Sequence, residues 1–178
     1  MKDVAKFCRN YPLTSFIIAV DLLIFGLNWL WLEVPLVVMP GEFSLASLLG
    51  NFSHTSFFHI AFNMVIFSRF APLLEKKLSA TEFMFVFLGI VMFLVAGEMK
   101  FLTSPVIGFS GVGLGTLAFA GLLFRQNTVF AKSLFTLVIV NVLFGFMPGI
   151  SFVGHALGAA AGIIVFALFF LLKKQHII

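Results

Sequence analysis

Four side chains combine types and spacings from which a reaction could be built. Ser110 stands in Gly108-Phe109-Ser110-Gly111, His155 follows Gly154, and His59 and Asn63 are four residues apart in His59-Ile60-Ala61-Phe62-Asn63. A serine hydroxyl is a poor nucleophile until a base takes its proton, and a neutral imidazole within hydrogen-bond reach is the usual base, so Ser110 and His155 form a candidate pair. A tetrahedral intermediate also needs donors aimed at its oxyanion. The Asn63 amide, the His59 imidazole and the backbone N–H groups near Ser110 are candidates. On a helix, the i, i+4 spacing puts His59 and Asn63 on one face, about a turn apart.

The elements that must position these groups are membrane helices. Hydrophobic side chains make up 61% of the 178 residues and charged ones 10%, against about one quarter charged in a soluble domain; the mean hydropathy is +1.16. This balance excludes a cytosolic enzyme, a nucleic-acid-binding domain and a secreted disulfide scaffold. A net charge of +4 is too diffuse to point to nucleic acid, and Cys8, the one cysteine, permits no disulfide within the chain. Apolar runs cover roughly Leu13 to Leu32, Phe57 to Leu74, Phe83 to Ala96, Ile107 to Phe124, Leu134 to Phe146 and Phe152 to Leu172. The expected fold is therefore an all-α bundle of six transmembrane helices, one domain over residues 1–178, with a short segment 1–11 before the spans and a basic tail 173–178 after them. The first run is too long for a secretory signal and lacks a small-x-small cleavage site.

Lys and Arg set the orientation, because short loops rich in them stay cytoplasmic. Ten of the 11 fall on one side if both termini are inside, and Lys100 alone falls outside. Spans two, four and six then run inward. They bring His59, Asn63, Ser110 and His155 to one level near the outer face, where no carboxylate is expected. A Ser-His dyad is the smallest catalytic arrangement that fits. Gly158 and Gly162 share the face of His155, and Gly113 and Gly121 lie near that of Ser110, so small residues would let spans four and six approach closely.

Plainer readings exist for each feature. Serine in a membrane helix usually bonds its own backbone carbonyl, and the Gly111/Gly115 and Gly158/Gly162 pairs alone indicate only helix association. His54, His59 and His155 could ligate a metal or haem, but His-Glu-x-x-His and a neighbouring carboxylate are both absent. Asp21 and Asn28 could bond neighbouring helices, and His176 belongs to the solvated tail.

Taken together, these motifs resemble the rhomboid family of intramembrane serine proteases in its compact six-helix bacterial form, over Asn51 to about Gly162. The residues carrying the resemblance are His54-x4-His59-x3-Asn63 with Glu75 behind it, Gly108-x-Ser110-Gly111, and Gly154-His155-x2-Gly158-x3-Gly162. It implies cleavage of transmembrane protein substrates among membrane lipids, in the cell inner membrane with both termini cytoplasmic, without metal, cofactor or nucleic acid. Ser110 would be the nucleophile, His155 the general base and then acid, and His59 and Asn63 the oxyanion partners. His54, Gly111, Gly158 and Gly162 would support the site. Span five and the loop from Phe146 to Ser151 would gate lateral access.

The sequence departs from the family pattern in places. Glu42 and Phe43 stand where many members carry Trp-Arg, and Ala71-Pro72 replaces a common Gly pair. Phe109 replaces a small residue before the serine, which would narrow the site or alter its backbone. Leu114 stands where an aromatic commonly stacks on the catalytic histidine. A non-catalytic rhomboid-like protein that binds membrane clients is the alternative, although such relatives typically lose the serine or histidine. A small transporter would instead carry its polar centre near the midplane.

Overall fold

The computed structural model describes residues 2–30 and 36–175, which are all-helical apart from one antiparallel bridge between Val38 and Val106. The expected first-span end at Leu32, the break at Pro35 and His176 lie outside the described residues. The helices are α1 (Lys2–Asn10), α2 (Pro12–Leu30), α3 (Leu45–Gly50), α4 (Phe57–Glu75), α5 (Ala80–Phe101), α6 (Ser110–Leu123), α7 (Thr128–Phe144) and α8 (Phe152–Lys174). Four of them, α2, α4, α5 and α8, are long and apolar enough to cross a membrane; α6 and α7 are shorter apolar helices. The short helices α1 and α3 precede the first and second expected spans and were not anticipated, because neither carries a long apolar run.

Most helix starts follow from local chemistry. Pro12 opens α2, where its missing N–H is no loss. Side-chain oxygens of Ser44, Ser56, Ser79, Asn127 and Ser151 accept the first-turn amides of α3, α4, α5, α7 and α8. At α5 the cap is reciprocal, with Glu82 accepting from the Ser79 N–H. These polar caps lie upstream of the apolar runs, so α5 and α7 begin at Ala80 and Thr128 rather than at Phe83 and Leu134. α6 is the exception. Gly108 has a φ of +125°, which a helix cannot contain, and α6 starts only at Ser110, three residues after the expected Ile107.

Polar contacts join the helix ends at two levels. At one, Glu75 at the end of α4 accepts the Leu13 N–H at 2.8 Å, the Thr14 N–H at 2.9 Å and the Thr14 hydroxyl at 2.5 Å, so it caps the start of α2. Lys173 at the end of α8 donates to Glu82 at the start of α5. At the other, Asn51 donates to Glu98 near the end of α5 at 2.9 Å, and the Gly108 N–H donates to the Gly50 carbonyl at 3.1 Å.

α6 is the central helix, with every residue from Gly111 to Gly121 buried, whereas α7 buries only Ala131, Leu134 and Val138. The most extensive pairing is α6 with α8. A Cβ on Gly158 would be driven into the backbone of Gly111, and one on Gly162 into that of Gly115, so these helices meet backbone to backbone. The expected partners Gly113 and Gly121 are not in this seam. A Cβ on Gly113 would meet open space, and one on Gly121 the Phe135 ring of α7. At 100° per residue the seam needs the i, i+4 pair Gly111 and Gly115, and Gly113 falls on the other side.

Candidate active site

The glycine seam brings the first residue of α6 against the first turn of α8. Ser110 Oγ lies 3.0 Å from His155 Nε2, and His155 Nδ1 lies 2.7 Å from the Asn141 backbone carbonyl. A carbonyl only accepts, so in the neutral ring Nδ1 carries the hydrogen and donates it to Asn141, leaving the Nε2 lone pair for the Ser110 hydroxyl proton. The Asn141 carbonyl is free for this because the last turn of α7 tightens. The Gly145 N–H, its ordinary partner, bonds Val142 instead. Asn141 was missed in the sequence, since a backbone carbonyl contributes no residue type to read.

His59 and Asn63 project from the first turns of α4 into the same cavity, which measures about 650 Å³ and is lined also by Ser110, His155, Glu98 and Asn141. The His59 ring rests on the backbone before Ser110: a Cβ on Gly108 would stand 2.7 Å from its Nε2. Its Nδ1 lies 3.3 Å from the Thr55 hydroxyl. Asn63 is buried, and its amide donates to the His59 carbonyl at 3.1 Å. Phe109, the N-cap residue of α6, forms no side-chain cap hydrogen bond, so the first-turn amides of α6 have no side-chain acceptor. The cavity thus gathers a paired hydroxyl and imidazole, an amide, a second imidazole and an open helix N-terminus. This set can activate a hydroxyl and hold an oxyanion.

His54 does not line the cavity. It is buried behind His59, with ring centroids 4.8 Å apart at 78°, and its Nδ1 lies 3.6 Å from Asp21 Oδ2 on α2. Burial, with His59 adding, pushes this first-loop imidazole down to about 3, so it is neutral beside Asp21. Two expectations are corrected here. A carboxylate does neighbour one of the histidines, because α2 turns Asp21 inward to the first loop. A carboxylate also reaches the level of the site, because α5 continues to Phe101 and carries Glu98 to the cavity. Glu98 accepts from Asn51, not from His155, whose Nδ1 is held by a carbonyl.

Comparison with known proteins points one way. A family model described as Rhomboid domain matches residues 43–172, well over half of the chain. The chain belongs to the rhomboid family. It is also 26% identical over 188 aligned positions, covering 92% of each chain, to the protein named "Putative rhomboid protease YdcA" of Bacillus subtilis (strain 168).

As a rhomboid with several membrane-crossing helices, the chain is a multi-pass membrane protein. Two of its departures from the family pattern, Phe109 and Leu114, have structural answers. The Phe109 side chain does not narrow the cavity; it is fully buried, with its ring 4.9 Å from that of Phe67 and 5.5 Å from that of Phe52. Leu114 lines the cavity, and among the described residues no aromatic ring stacks on His155. In this rhomboid the Asn141 carbonyl orients the ring instead.

Proposed function

We propose that this rhomboid is an intramembrane serine endopeptidase that cuts transmembrane protein substrates with a Ser110–His155 dyad. The observation that carries the reading is the 3.0 Å Ser110–His155 contact, with the imidazole tautomer set by Asn141. Ser110 Oγ attacks the scissile carbonyl as His155 Nε2 takes its proton. The oxyanion is received by the first-turn amides of α6, the remaining Asn63 amide proton and the His59 ring. His155 then protonates the leaving amine, giving an acyl-enzyme. Water attacks this ester, losing its proton to His155, which returns it to Ser110 Oγ as the acid product leaves. His54, Gly111, Gly158 and Gly162 support this geometry. No step calls for a metal, cofactor or nucleic acid.

The same reading takes residues 1–178 as one domain of six spans, α2 and α4 to α8, with both termini cytoplasmic in the cell inner membrane. The bias of ten Lys and Arg against Lys100 supports the orientation. The polar cavity then opens toward the outer face. Lateral access runs past α7, which buries three residues, and the turn whose Phe146 ring stacks on Phe152 at 4.3 Å.

Purified protein in detergent or vesicles should cleave a single-span substrate and be labelled at Ser110 by a fluorophosphonate. Ser110→Ala should lower the cleavage rate by about 10⁴-fold or more without loss of fold. Unchanged cleavage by that variant would sink the reading, and folded wild-type protein that neither cleaves nor labels would favour a client-binding role.

A further inference from the structure

The helix α1 has no part in the site, and little of the protein covers it. None of its residues is buried, and α2 is the helix it chiefly meets. Its side chains nevertheless divide into two faces. Val4, Phe7, Cys8 and Tyr11 follow the i, i+3, i+4, i+7 spacing of one helical stripe, and the turn is kept as far as Tyr11, whose N–H donates to the Phe7 carbonyl at 2.9 Å. The Phe7 and Tyr11 rings pair at 5.1 Å on that stripe, while Val4 is 66% exposed and Cys8 is exposed as well. Lys2, Lys6 and Arg9 occupy the opposite face, and Asp3 is the one acid of the helix.

A solvated basic face accounts for the three cations but not for the apolar stripe behind them. Nor can α1 stand by its own backbone, because a helix of 9 residues is marginal in water unless its apolar side is packed. The junction with α2 shows where that packing comes from. α2 is long and apolar enough to cross a membrane, Glu75 holds the amides of its first turn, and the Lys76 ammonium lies 5.2 Å over the Tyr11 ring. α1 therefore ends where a span enters lipid, beside Lys76 and Lys77, and the Glu75 carboxylate next to them is already committed to α2. An apolar stripe backed by cations at that level matches a bilayer surface, with the acyl-chain boundary complementing the stripe and anionic headgroups the cations.

We propose that α1 is an interfacial helix that binds anionic phospholipid headgroups through Lys2, Lys6 and Arg9 and lays its Val4–Tyr11 stripe into the headgroup boundary. The assignment stands or falls independently of the peptidase reading.

The chain carries its own probe site, because Cys8 is its one cysteine and lies on the apolar stripe. Full-length protein labelled at Cys8 with the environment-sensitive fluorophore NBD is placed in vesicles of phosphatidylcholine, alone or mixed with phosphatidylglycerol. In the mixed vesicles the emission should shift to the blue and be quenched by lipids with a doxyl group near the headgroup. The ratio of inserted to water-exposed probe, read from its two fluorescence lifetimes, should be lower in phosphatidylcholine alone. In mixed vesicles it should fall about fivefold for each cation replaced in the series Lys2→Gln, Lys6→Gln and Arg9→Gln. Asn10→Cys in a Cys8→Ser background places the label about 200° round the helix, where it should stay in water. A Cys8 label that remains water-exposed in mixed vesicles overturns the proposal. Blue-shifted emission without doxyl quenching also overturns it, since protein, such as a second copy of the chain, would then cover the stripe. Insertion that is the same in both vesicle types overturns the binding of anionic headgroups, and the wild-type comparison decides this even if the substituted chains do not fold.

Discussion

Ser110 and His155 are 45 residues apart in the chain and 3.0 Å apart in space, and each owes its readiness to a neighbour of ordinary type. The Asn141 carbonyl makes Nδ1 of His155 the protonated nitrogen, which leaves Nε2 able to accept. A protonated imidazole cannot take the serine proton, so the cleavage rate should fall in acid with the slope of a single proton. A pH–rate profile with no acid limb would exclude His155 as the base. Thr55 acts similarly on His59. For His59 Nε2 to donate to an oxyanion, its Nδ1 must be the acceptor, and then the Thr55 hydroxyl donates to it across 3.3 Å. Thr55→Val removes that donor at similar size and should lower kcat about fivefold, the worth of about 1 kcal/mol, with KM little changed. An unchanged kcat would mean that His59 does not need this tautomer. The motif residues were legible in sequence because their types are unusual in lipid; Asn141 and Thr55 were not, since one acts through its backbone and the other is a common interfacial hydroxyl.

At the scale of helices, the dyad depends on how closely α6 and α8 pack. Alanine is favoured over glycine in a helix interior by about 1 kcal/mol, so the sign of a substitution depends on the space available. At Gly158 the new methyl would meet the Gly111 backbone, which cannot rotate away. Gly158→Ala should therefore destabilise by about 1–3 kcal/mol and lengthen the Ser110–His155 contact. At Gly113 nothing lies within 4 Å, so Gly113→Ala should be at least as stable as wild type. Thermal unfolding of both in detergent, alongside cleavage rates, checks this; equal stability would remove the seam from the account. The sequence marked small-xxx-small pairs on both helices but not which glycines of α6 face α8. Boundaries were less legible too, because apolar runs report burial in lipid whereas helices begin at polar caps such as Ser79 and Asn127.

Across the whole molecule, the levels of the helix ends connect charge bias to site depth. α6 has 14 residues and so reaches about 21 Å, short of a hydrocarbon core of about 30 Å. In the proposed topology, a helix of that length ending near the inner boundary would hold Ser110 below the outer one, inside a cavity that polar side chains can keep wet. Topology is open to direct measurement. With Cys8→Ser as background, single cysteines at Lys100 and at Lys174 should react from opposite sides of sealed vesicles with a membrane-impermeant thiol reagent. Reaction of both from one side would overturn the six-span arrangement.

Composition and the placement of Lys and Arg determined, without a structure, that this chain is a helical membrane protein and which polar residues stand out in it, because removing charge from water is costly enough to leave a clear mark on sequence. The motifs around Ser110, His155 and His59 pointed to the rhomboid family for the same reason. Only the tertiary structure decided that Gly111 and Gly115 form the seam, that Asn141 orients His155, that Asp21 lies against His54, and that Glu98 faces the cavity. These are matters of helix rotation, helix length and backbone groups. They follow from packing between segments distant in the chain, and hydropathy along one strand of sequence is the same whichever way a helix turns.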